Sequence, residues 1–327
     1  MRPTLATFFS CIFAYFCATT SYAQPTHFTT SDYWKHQKRE LLFGIGISNF
    51  LSDLGGLNTI GQDYSPLDLE FVMTRPSFHV GYRRRFRSLW CTKSLIQYGM
   101  LKGDDALTQE FHRNYRNLRV HTHLLEFSQT LEFIIWSSEH FGKRYSISGL
   151  KGHRNKNNLL YAIGGISAFM YMPQFPGGPL LRPLGTEGQG LPGGPKPYGL
   201  MPPGSPIALG LGMPFGLGFK YGIDALWRLT VELTWTKTFT DYLDDVSGVY
   251  YDKVALYEAY GSMSVVMSDP SSQEFPGKTL PGEIRGDRKQ NDSYIFLNLS
   301  LVRNITIKRS RKIKHTRGVF KGPKGKW

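Results

Sequence analysis

The sequence predicts an all-β protein, an eight-stranded antiparallel transmembrane β-barrel with long extracellular loops. Three observations lead to this fold class. The hydrophobic residues come in short alternating segments, the connections between the segments alternate between long and short, and no segment after the N-terminus is long and apolar enough for a membrane helix. The chain also holds 35 Gly, 18 Tyr and 22 Phe among 327 residues. This composition, with turn residues between alternating segments, favours strands over helices.

The N-terminus has the features of a secretory signal peptide over residues 1–23. Arg2 precedes an uncharged apolar run at residues 5–18, and small residues occupy the two positions that a signal peptidase reads before Gln24. A signal anchor is the alternative, but the run is shorter than the roughly 18 to 20 apolar residues that span a bilayer. Cleavage would leave Cys91 as the single cysteine, so we expect an exported chain without an intrachain disulfide.

Eight segments alternate between apolar and polar residues as β-strands do. They cover residues 41–50, 77–86, 89–101, 118–133, 159–172, 207–222, 227–242 and 293–307. In the last segment Ile295, Leu297, Leu299 and Leu301 share one face, and that face is wholly apolar. This pattern fits a strand with one face against hydrocarbon, although a soluble sandwich can also produce it.

The connections between the segments favour the membrane barrel. Those after the first, third, fifth and seventh segments are mostly long, whereas those after the second and sixth are short. Outer-membrane barrels show this asymmetry, with short periplasmic turns and long extracellular loops. We therefore expect a periplasmic segment at residues 24–40 and an outer-membrane barrel at residues 41–305. The long connection at residues 134–157 is an exception, and ten strands would result if it folded into the wall.

Two groups of basic residues are predicted on the periplasmic side. One is the turn after the second segment, which holds Arg83, Arg84, Arg85 and Arg87, and the other is a tail at residues 306–327. The candidate docking residues of the tail are Lys308, Arg309, Arg311, Lys312, Lys314 and Arg317. The tail is either simply solvated or an electrostatic arm that meets an acidic periplasmic surface or anionic lipid. A periplasmic location makes nucleic acid an implausible partner.

The predicted strand number and several side chains bear on the interior and the rims. An eight-stranded barrel is only wide enough to be filled by side chains, so we do not expect an open pore. His121 and His123 share one side of the fourth segment, where we expect a polar lumen rather than a metal site. Aromatic residues near the segment ends are expected in the interfacial girdles. These are Trp90, Trp136, Tyr161, Tyr171, Trp227 and Tyr242.

The stretch FTDYLDDVSGVYY places three carboxylates, Asp241, Asp244 and Asp245, where the seventh segment ends. Oxygen ligands of this kind suit a hard cation, but the spacing does not match a calcium-binding EF-hand loop. Catalysis is a further alternative. We predict instead a structural loop anchor, in which the carboxylates accept backbone hydrogen bonds or pair with arginines. The tripeptide RGD at residues 285–287 could serve adhesion, but so short a string also arises by chance.

No nucleophile is paired with a base in the sequence, so we predict a non-enzymatic protein without metal or cofactor. Two alternatives to a docking role remain open at this point. One is a passive or adhesive envelope barrel, and the other is a lipid-modifying outer-membrane enzyme that uses residues such as His112, His121 and Asp241.

Seven blocks in order carry a resemblance to a known family. They are LFGIGISNFLSDLGG, RPSFHVGYRRRF, RNLR, PLGTEGQG, PFGLGFKY, KTFTDYLDDVSG and RGDRKQNDSYIF. Residues 41–302 thus resemble the PorG-like outer-membrane β-barrels associated with type IX secretion and gliding motility. The resemblance implies a small barrel without catalytic residues, embedded in outer-membrane lipid, and association with a periplasmic ring of PorK- and PorN-like proteins.

Overall fold

The structure, a computed structural model, describes most of the chain between residues 38 and 305. The described ranges are 38–52, 54, 71–107, 111–139, 157–195, 201–202, 204–223, 227–272, 274–288 and 290–305. The predicted signal peptide, residues 24–37 of the predicted periplasmic segment, and the basic tail at 306–327 lie outside the described residues.

Eight antiparallel strands form a closed barrel, as the sequence predicted. They are β1 (Arg39–Leu51), β2 (Arg75–Arg85), β3 (Trp90–Asp104), β4 (Arg119–Glu139), β5 (Asn157–Gln174), β6 (Ala208–Gly222), β7 (Trp227–Thr238) and β8 (Ser293–Asn304). Each strand pairs with the next, and β8 returns to pair with β1 along its length. Among the described residues, no helix is long and apolar enough to cross a membrane.

The alternative with ten strands is wrong, because β4 and β5 are direct neighbours in the wall. Their pairing continues to Glu139 opposite Asn157, with a β-bulge between Ile134 and Trp136. The residues that connect them, 140–156, lie outside the described part of the chain. The two strands thus include both ends of the segment that the ten-strand alternative would have needed, and β4 extends past Trp90, where β3 begins.

The two faces of the wall differ in polarity. Large apolar side chains project outward from every strand, with Ile45, Phe78, Phe127 and Leu217 each more than half exposed. The inward positions carry many buried polar and charged side chains, such as Glu132. This distribution is the reverse of a soluble protein and is typical of a barrel whose outside faces hydrocarbon.

Three of the aromatic residues predicted for the girdles lie inside instead. Tyr161, Tyr171 and Tyr242 are buried, whereas Trp136 is half exposed. Glycine at the facing position of the next strand makes room for one of these rings, since a Cβ at Gly218 would lie 2.4 Å from the ring of Tyr161. The girdle prediction is therefore wrong for the three tyrosines.

The described parts of the long loops contain three short α-helices. Helix α1 (Phe111–Arg116) is in the loop between β3 and β4, and α2 (Lys253–Tyr260) and α3 (Ser262–Ser268) are in the loop between β7 and β8. Helix α2 begins after Asp252, whose side chain accepts a hydrogen bond from the backbone N–H of Val254 at 3.1 Å, a regular N-cap. The loop between β7 and β8 is thus folded and not simply extended.

The outer face can be tested by placing a charge on it. Ile45 is 59% exposed in the middle of β1, and Tyr257 is 61% exposed on α2. We expect Ile45→Arg to lower the free energy of unfolding from lipid by about 2 to 4 kcal/mol, because the charge enters hydrocarbon. Tyr257→Arg, with similar exposure outside the wall, serves as the control and should change it little. Urea titration of vesicle-inserted protein, read by the shift of the folded band on unheated gels, measures both. Equal effects of the two substitutions would contradict a membrane-facing wall.

Candidate functional site

The half of the interior next to the short turns is filled by charged side chains that project inward from six strands. The guanidinium of Arg83 pairs with Glu132, and Nζ of Lys93 lies 2.6 Å from Glu232 and 3.5 Å from Glu132. Lys220 and Arg228 both bind the carboxylate of Glu40. We call these residues the interior ion network, namely Glu40, Arg83, Lys93, Glu132, Lys220, Arg228 and Glu232. All are buried, so the network closes the barrel at the end that has the short turns.

The positions of the basic residues near the first short turn correct part of the sequence prediction. Arg83 is 1% exposed and packs 4.4 Å from the centre of the Tyr161 ring, inside the barrel. Arg85 is also buried, and its Nε donates to the carbonyl oxygen of Ser88 at 3.1 Å. Both residues therefore belong to the strand β2 and its interior, not to an exposed turn. Arg84 and Arg87 are exposed as predicted.

A layer of neutral polar side chains lies above the ion network. Gln97 and Asn298 exchange two side-chain hydrogen bonds, at 3.0 and 3.1 Å. Beside them, Nε2 of His79 lies 2.7 Å from the hydroxyl oxygen of Ser300. These groups satisfy one another across the lumen, so the middle of the barrel is also closed.

The outer half of the interior is an apolar core to which the long loops contribute. It consists of Phe50, Leu54, Leu101, Leu118, Val120, Leu124, Phe169, Tyr171, Leu181, Ala208, Leu243, Val246, Tyr294 and Phe296. Leu243 and Val246 come from the loop after β7, and the carbonyl oxygen of Leu243 accepts a hydrogen bond from the hydroxyl of Thr122 in the wall at 2.6 Å. The loop after β7 therefore enters the mouth of the barrel and seals it.

A buried carboxylate holds this loop in place. Glu187, from the loop between β5 and β6, accepts hydrogen bonds from the backbone N–H of Ser247 at 3.0 Å and of Gly248 at 3.2 Å. Nη1 of Arg285 lies 2.8 Å from the same carboxylate and 2.9 Å from the carbonyl oxygen of Asp245. We call Glu187, Asp245 and Arg285 the loop clamp. It joins segments that are far apart in sequence, so it fixes the extracellular end as one folded cap.

The loop between β3 and β4 is attached to the same cap. Arg116 pairs with Asp105 at 2.7 Å within this loop and also donates to the carbonyl oxygen of Arg285. The hydroxyl oxygen of Tyr115 accepts a hydrogen bond from the backbone N–H of Phe275 at 2.9 Å. These contacts connect α1 with the loop that contains the clamp.

The three predicted carboxylates, Asp241, Asp244 and Asp245, lie in this cap and are buried. Asp244 accepts a hydrogen bond from the backbone N–H of Val246 at 2.9 Å, and Asp245 accepts one from the hydroxyl of Thr186 at 2.7 Å. Asp245 has a positive φ of 63°, a conformation that Asp adopts more readily than most residues. In the described part of the chain, no group of three or more His, Cys, Asp or Glu residues could hold a metal ion.

Burial raises the pKa of Asp245 to about 6, although the hydrogen bond from Thr186 and the charge of Arg285 act in the opposite direction. The charged form of this side chain is thus disfavoured in the folded cap.

Two other sequence interpretations change with the structure. His121 and His123 lie on the outer face of β4, where their neighbours at Thr122 and Leu124 point inward and are buried, so the prediction of a lumenal position is wrong. Arg285, the first residue of the RGD tripeptide, is buried in the loop clamp. An adhesion receptor could not reach its guanidinium in this fold.

Sequence reasoning missed Glu187, Arg285 and the interior ion network as the groups that close the barrel. A signal existed for each. Glu187 and Arg285 fall in PLGTEGQG and RGDRKQNDSYIF, two of the blocks that carry the family resemblance. In β2, Arg83 has the same strand parity as Ser77 and His79, which places it on the inner face.

The closed sheet, the apolar outside and the two kinds of connection together decide the location. Backbone groups can be satisfied in lipid only by helices or by closed barrels, and here all eight strands pair around the ring. The protein is an outer-membrane β-barrel. Its short turns after β2 and β6 face the periplasm, and the folded cap faces the exterior.

Comparisons with known proteins find weak similarity to solved structures. No protein-family model matches the chain, and no curated protein matches it. Ail, the attachment invasion locus protein of Yersinia pestis, solved in complex with the heparin analogue sucrose octasulfate, is 8% identical, with 81% of this chain and 97% of that chain covered and a TM-score of 0.34. Neisserial surface protein A is 8% identical, with 81% and 96% covered and a TM-score of 0.32. A major outer membrane protein from Thermus thermophilus is 10% identical, with 81% and 98% covered and a TM-score of 0.28.

The interior ion network can be tested at Glu132, which contacts both Arg83 and Lys93. We expect Glu132→Gln to lower the free energy of unfolding by about 3 to 5 kcal/mol, because it removes the closer carboxylate of the buried Arg83, which keeps only the contact with Glu40 at 3.7 Å. Glu258→Gln, an exposed carboxylate of α2, is the matched control. Urea titration in detergent micelles gives both values. A change below about 1 kcal/mol for Glu132→Gln would show that the network contributes little.

The stability of the folded cap should depend on pH because of the carboxyl group of Asp245. Its pKa in the folded cap, about 6, is higher than the ordinary Asp value of about 3.9, so protonation favours the folded form. The cap is therefore expected to be most stable below about pH 4 and to lose up to about 3 kcal/mol as the pH rises through about 6. Asn tolerates the same φ as Asp, so Asp245→Asn should keep the backbone conformation. It should remove this pH-dependent part of the stability of the cap.

Hydrogen exchange of residues 239–292, read by mass spectrometry, compares the wild-type protein with Asp245→Asn at each pH, so that intrinsic exchange rates cancel. The exchange rate of the wild-type protein divided by that of Asp245→Asn should grow between about pH 4 and about pH 7. The same ratio taken with Glu258→Gln in place of Asp245→Asn should stay constant. A constant ratio for Asp245→Asn as well would contradict the raised pKa.

Proposed function

We propose that the protein is a non-enzymatic, non-conducting barrel that serves as a docking or assembly element in the outer membrane. The proposed partner is a periplasmic ring of a type IX secretion system, built from PorK- and PorN-like proteins, as the family resemblance implies. The observation that carries the proposal is the closure of the barrel at every level. A barrel that cannot pass solutes must act through its surfaces.

Three layers support the absence of conduction. The ion network fills the periplasmic half, the pair of Gln97 and Asn298 spans the middle, and the apolar core with the loop clamp closes the outer half. Each layer is held by contacts between different strands or loops. Opening a path would require all three to separate.

The interior also argues against an enzyme. Among the described residues, His79 and Ser300 form a histidine–serine contact of the kind that nucleophilic catalysis uses. Both are buried in the closed lumen, and within the described part of the chain Nδ1 of His79 has no hydrogen-bond partner that would orient the ring. A substrate has no route to this pair, so we assign it a structural role.

The periplasmic rim has the exposed charges that docking needs. Arg84 and Arg87 are exposed, and Arg39, which is also exposed, lies directly opposite Arg84 in the sheet. The strand β8 ends beside Arg39, since the backbone N–H of Ile305 donates to its carbonyl oxygen at 2.9 Å. Ile305, the residue that precedes the basic tail, therefore lies at the same rim. Such charges steer association and strengthen it, but each exposed pair contributes only about 0 to 1 kcal/mol.

The extension of β4 adds an apolar element on this side. Past the start of β3, Ile135 and Trp136 are each about half exposed at the bulge. Tryptophan and arginine are both enriched in protein interfaces. The rim thus combines charges for steering with an apolar contact for affinity.

A second candidate is a surface-exposed binding barrel, and one observation favours it. Helices α2 and α3 of the cap expose Val254, Tyr257, Met263 and Val266 to solvent. Exposed apolar side chains that cluster on a folded loop often mark an interaction site. In this alternative the cap would matter for function and the periplasmic rim would not.

The two candidates are separated by affinity purification from native envelopes under mild detergent and low salt. We expect full-length protein to bring down periplasmic ring proteins. Truncation after Asn304 and the double substitution Arg84→Glu with Arg87→Glu should each reduce that recovery about threefold or more, because several weak charge contacts are lost together. Secretion or gliding motility should fall with it.

A charge-matched control is the double substitution Lys278→Glu with Arg288→Glu, at two exposed cations of the extracellular loop. It should leave recovery unchanged. Unheated gels confirm that every variant still folds. If full-length protein recovers no periplasmic protein, or if only the control reduces recovery, the docking proposal must be abandoned for the cap-based alternative.

A further inference from the structure

The outer face of the wall has a groove between β4, β5 and β6. It has a volume of about 300 Å³, and Leu125, Phe127, Met170, Leu209 and Leu211 are among the side chains that line it. All five lie in the outer half of the apolar belt, on the surface that faces hydrocarbon. The groove is therefore a depression in the membrane-facing wall and not an entrance to the lumen.

A small side chain creates the depression. Ala168 lies directly between Phe127 on β4 and Leu211 on β6 in the register of the sheet. Its neighbours on both sides are large and exposed, and Met170 projects from the next outward position of the same strand. The short side chain forms the floor, and the larger ones form the walls. The shape suits a flexible hydrocarbon chain that lies along the strands.

Basic and titratable side chains lie on the same face just above the groove. His123 is one outward position above Leu125, a distance of about 7 Å along the strand. His121 is one position further, opposite Lys102 of β3. The hydroxyl of Tyr98 lies 2.8 Å from Nδ1 of His123, which engages that nitrogen and leaves Nε2 as the one that can meet a ligand.

The net charge at this level is positive. Lys102 and Arg119 share one carboxylate, that of Asp104, at 3.2 and 3.4 Å. Two cations thus face one carboxylate at this level. A phosphate group would find donors and a favourable potential here.

We infer that this face binds a phosphate-bearing lipid of the outer leaflet, with one acyl chain in the groove over Ala168 and the phosphate at the cationic cluster. The cluster consists of Lys102, Arg119, His121 and His123. The occupant follows from position, because only lipid covers this part of the wall. The chemistry follows from charge complementarity at the height of the headgroups. The inference is independent of the docking proposal, since it concerns the opposite end of the barrel.

Native mass spectrometry of the delipidated full-length protein in detergent tests this site. The probes are phosphatidylglycerol, which is anionic, and phosphatidylcholine with identical acyl chains, which has no net charge. We expect one lipid molecule per protein to bind more tightly than any further molecules. Phosphatidylglycerol should bind about tenfold more tightly than phosphatidylcholine, as the charge-assisted contacts imply.

Two variants separate the groove from the cluster. Ala168→Trp fills the groove and should abolish the tight adduct of both lipids, whereas Val80→Trp, an outward apolar position on β2, should not. Lys102→Gln with His123→Gln should remove the preference for phosphatidylglycerol and weaken phosphatidylcholine less, because the phosphate of phosphatidylcholine is offset by its own cation. Arg84→Gln, at the periplasmic rim, is the control for charge.

Each outcome bears on the proposal. If the Ala168→Trp variant bound the lipid as tightly as the wild-type protein does, the proposal that the groove holds an acyl chain would be overturned. A preference for phosphatidylglycerol that survives the cluster substitutions, or that Arg84→Gln removes equally, would overturn the headgroup site. A shifted band on unheated gels shows in each case that the variant is folded.

Discussion

The closure of the sheet is the constraint on which the rest of this structure depends. A strand in hydrocarbon has no water to satisfy an edge, so β1 and β8 must pair with each other along their length, and they do. Closure with only eight strands then leaves a narrow interior that side chains must fill. The ion network, the polar layer and the apolar core are three solutions to that one requirement. They follow one another along the axis from the periplasmic end to the exterior.

The polarity of the filling changes along the axis for physical reasons. Charged groups such as Arg83, Glu132 and Lys93 are costly to bury alone, so they occur as a network in which each has an opposite charge beside it. At the outer end, loop residues such as Leu243 can reach into the mouth, and apolar packing becomes possible there. The loop clamp then only has to hold the loops in place, which a single buried carboxylate, Glu187, does through several donors.

The wall could be predicted from the sequence because its signals are local. Alternation within each segment and the contrast between short turns and long loops are readable without any long-range information, and both led to eight strands. The direction of a particular side chain was harder where both faces of a segment are apolar. In β5, Tyr161 and Leu160 are equally plausible on either face. The alternation of the segment therefore could not decide whether Tyr161 points inward or outward. In β2 the parity was readable, but Arg83 was assigned to the turn because four arginines fall close together in the sequence.

The clamp could not be predicted because it depends on contacts between distant segments. Glu187 and Arg285 lie in different loops with two strands between them, and no periodicity links them. The residues that did attract attention, Asp241, Asp244 and Asp245, are close together in the chain, and only Asp245 takes part in the clamp directly. A closed and clamped barrel has little freedom to change shape in its wall. Any function therefore resides in the surfaces that closure leaves accessible. These are the basic periplasmic rim, the apolar belt with its groove, and the outside of the cap, and because they lie at three different heights of one rigid body, they can bind different partners at the same time.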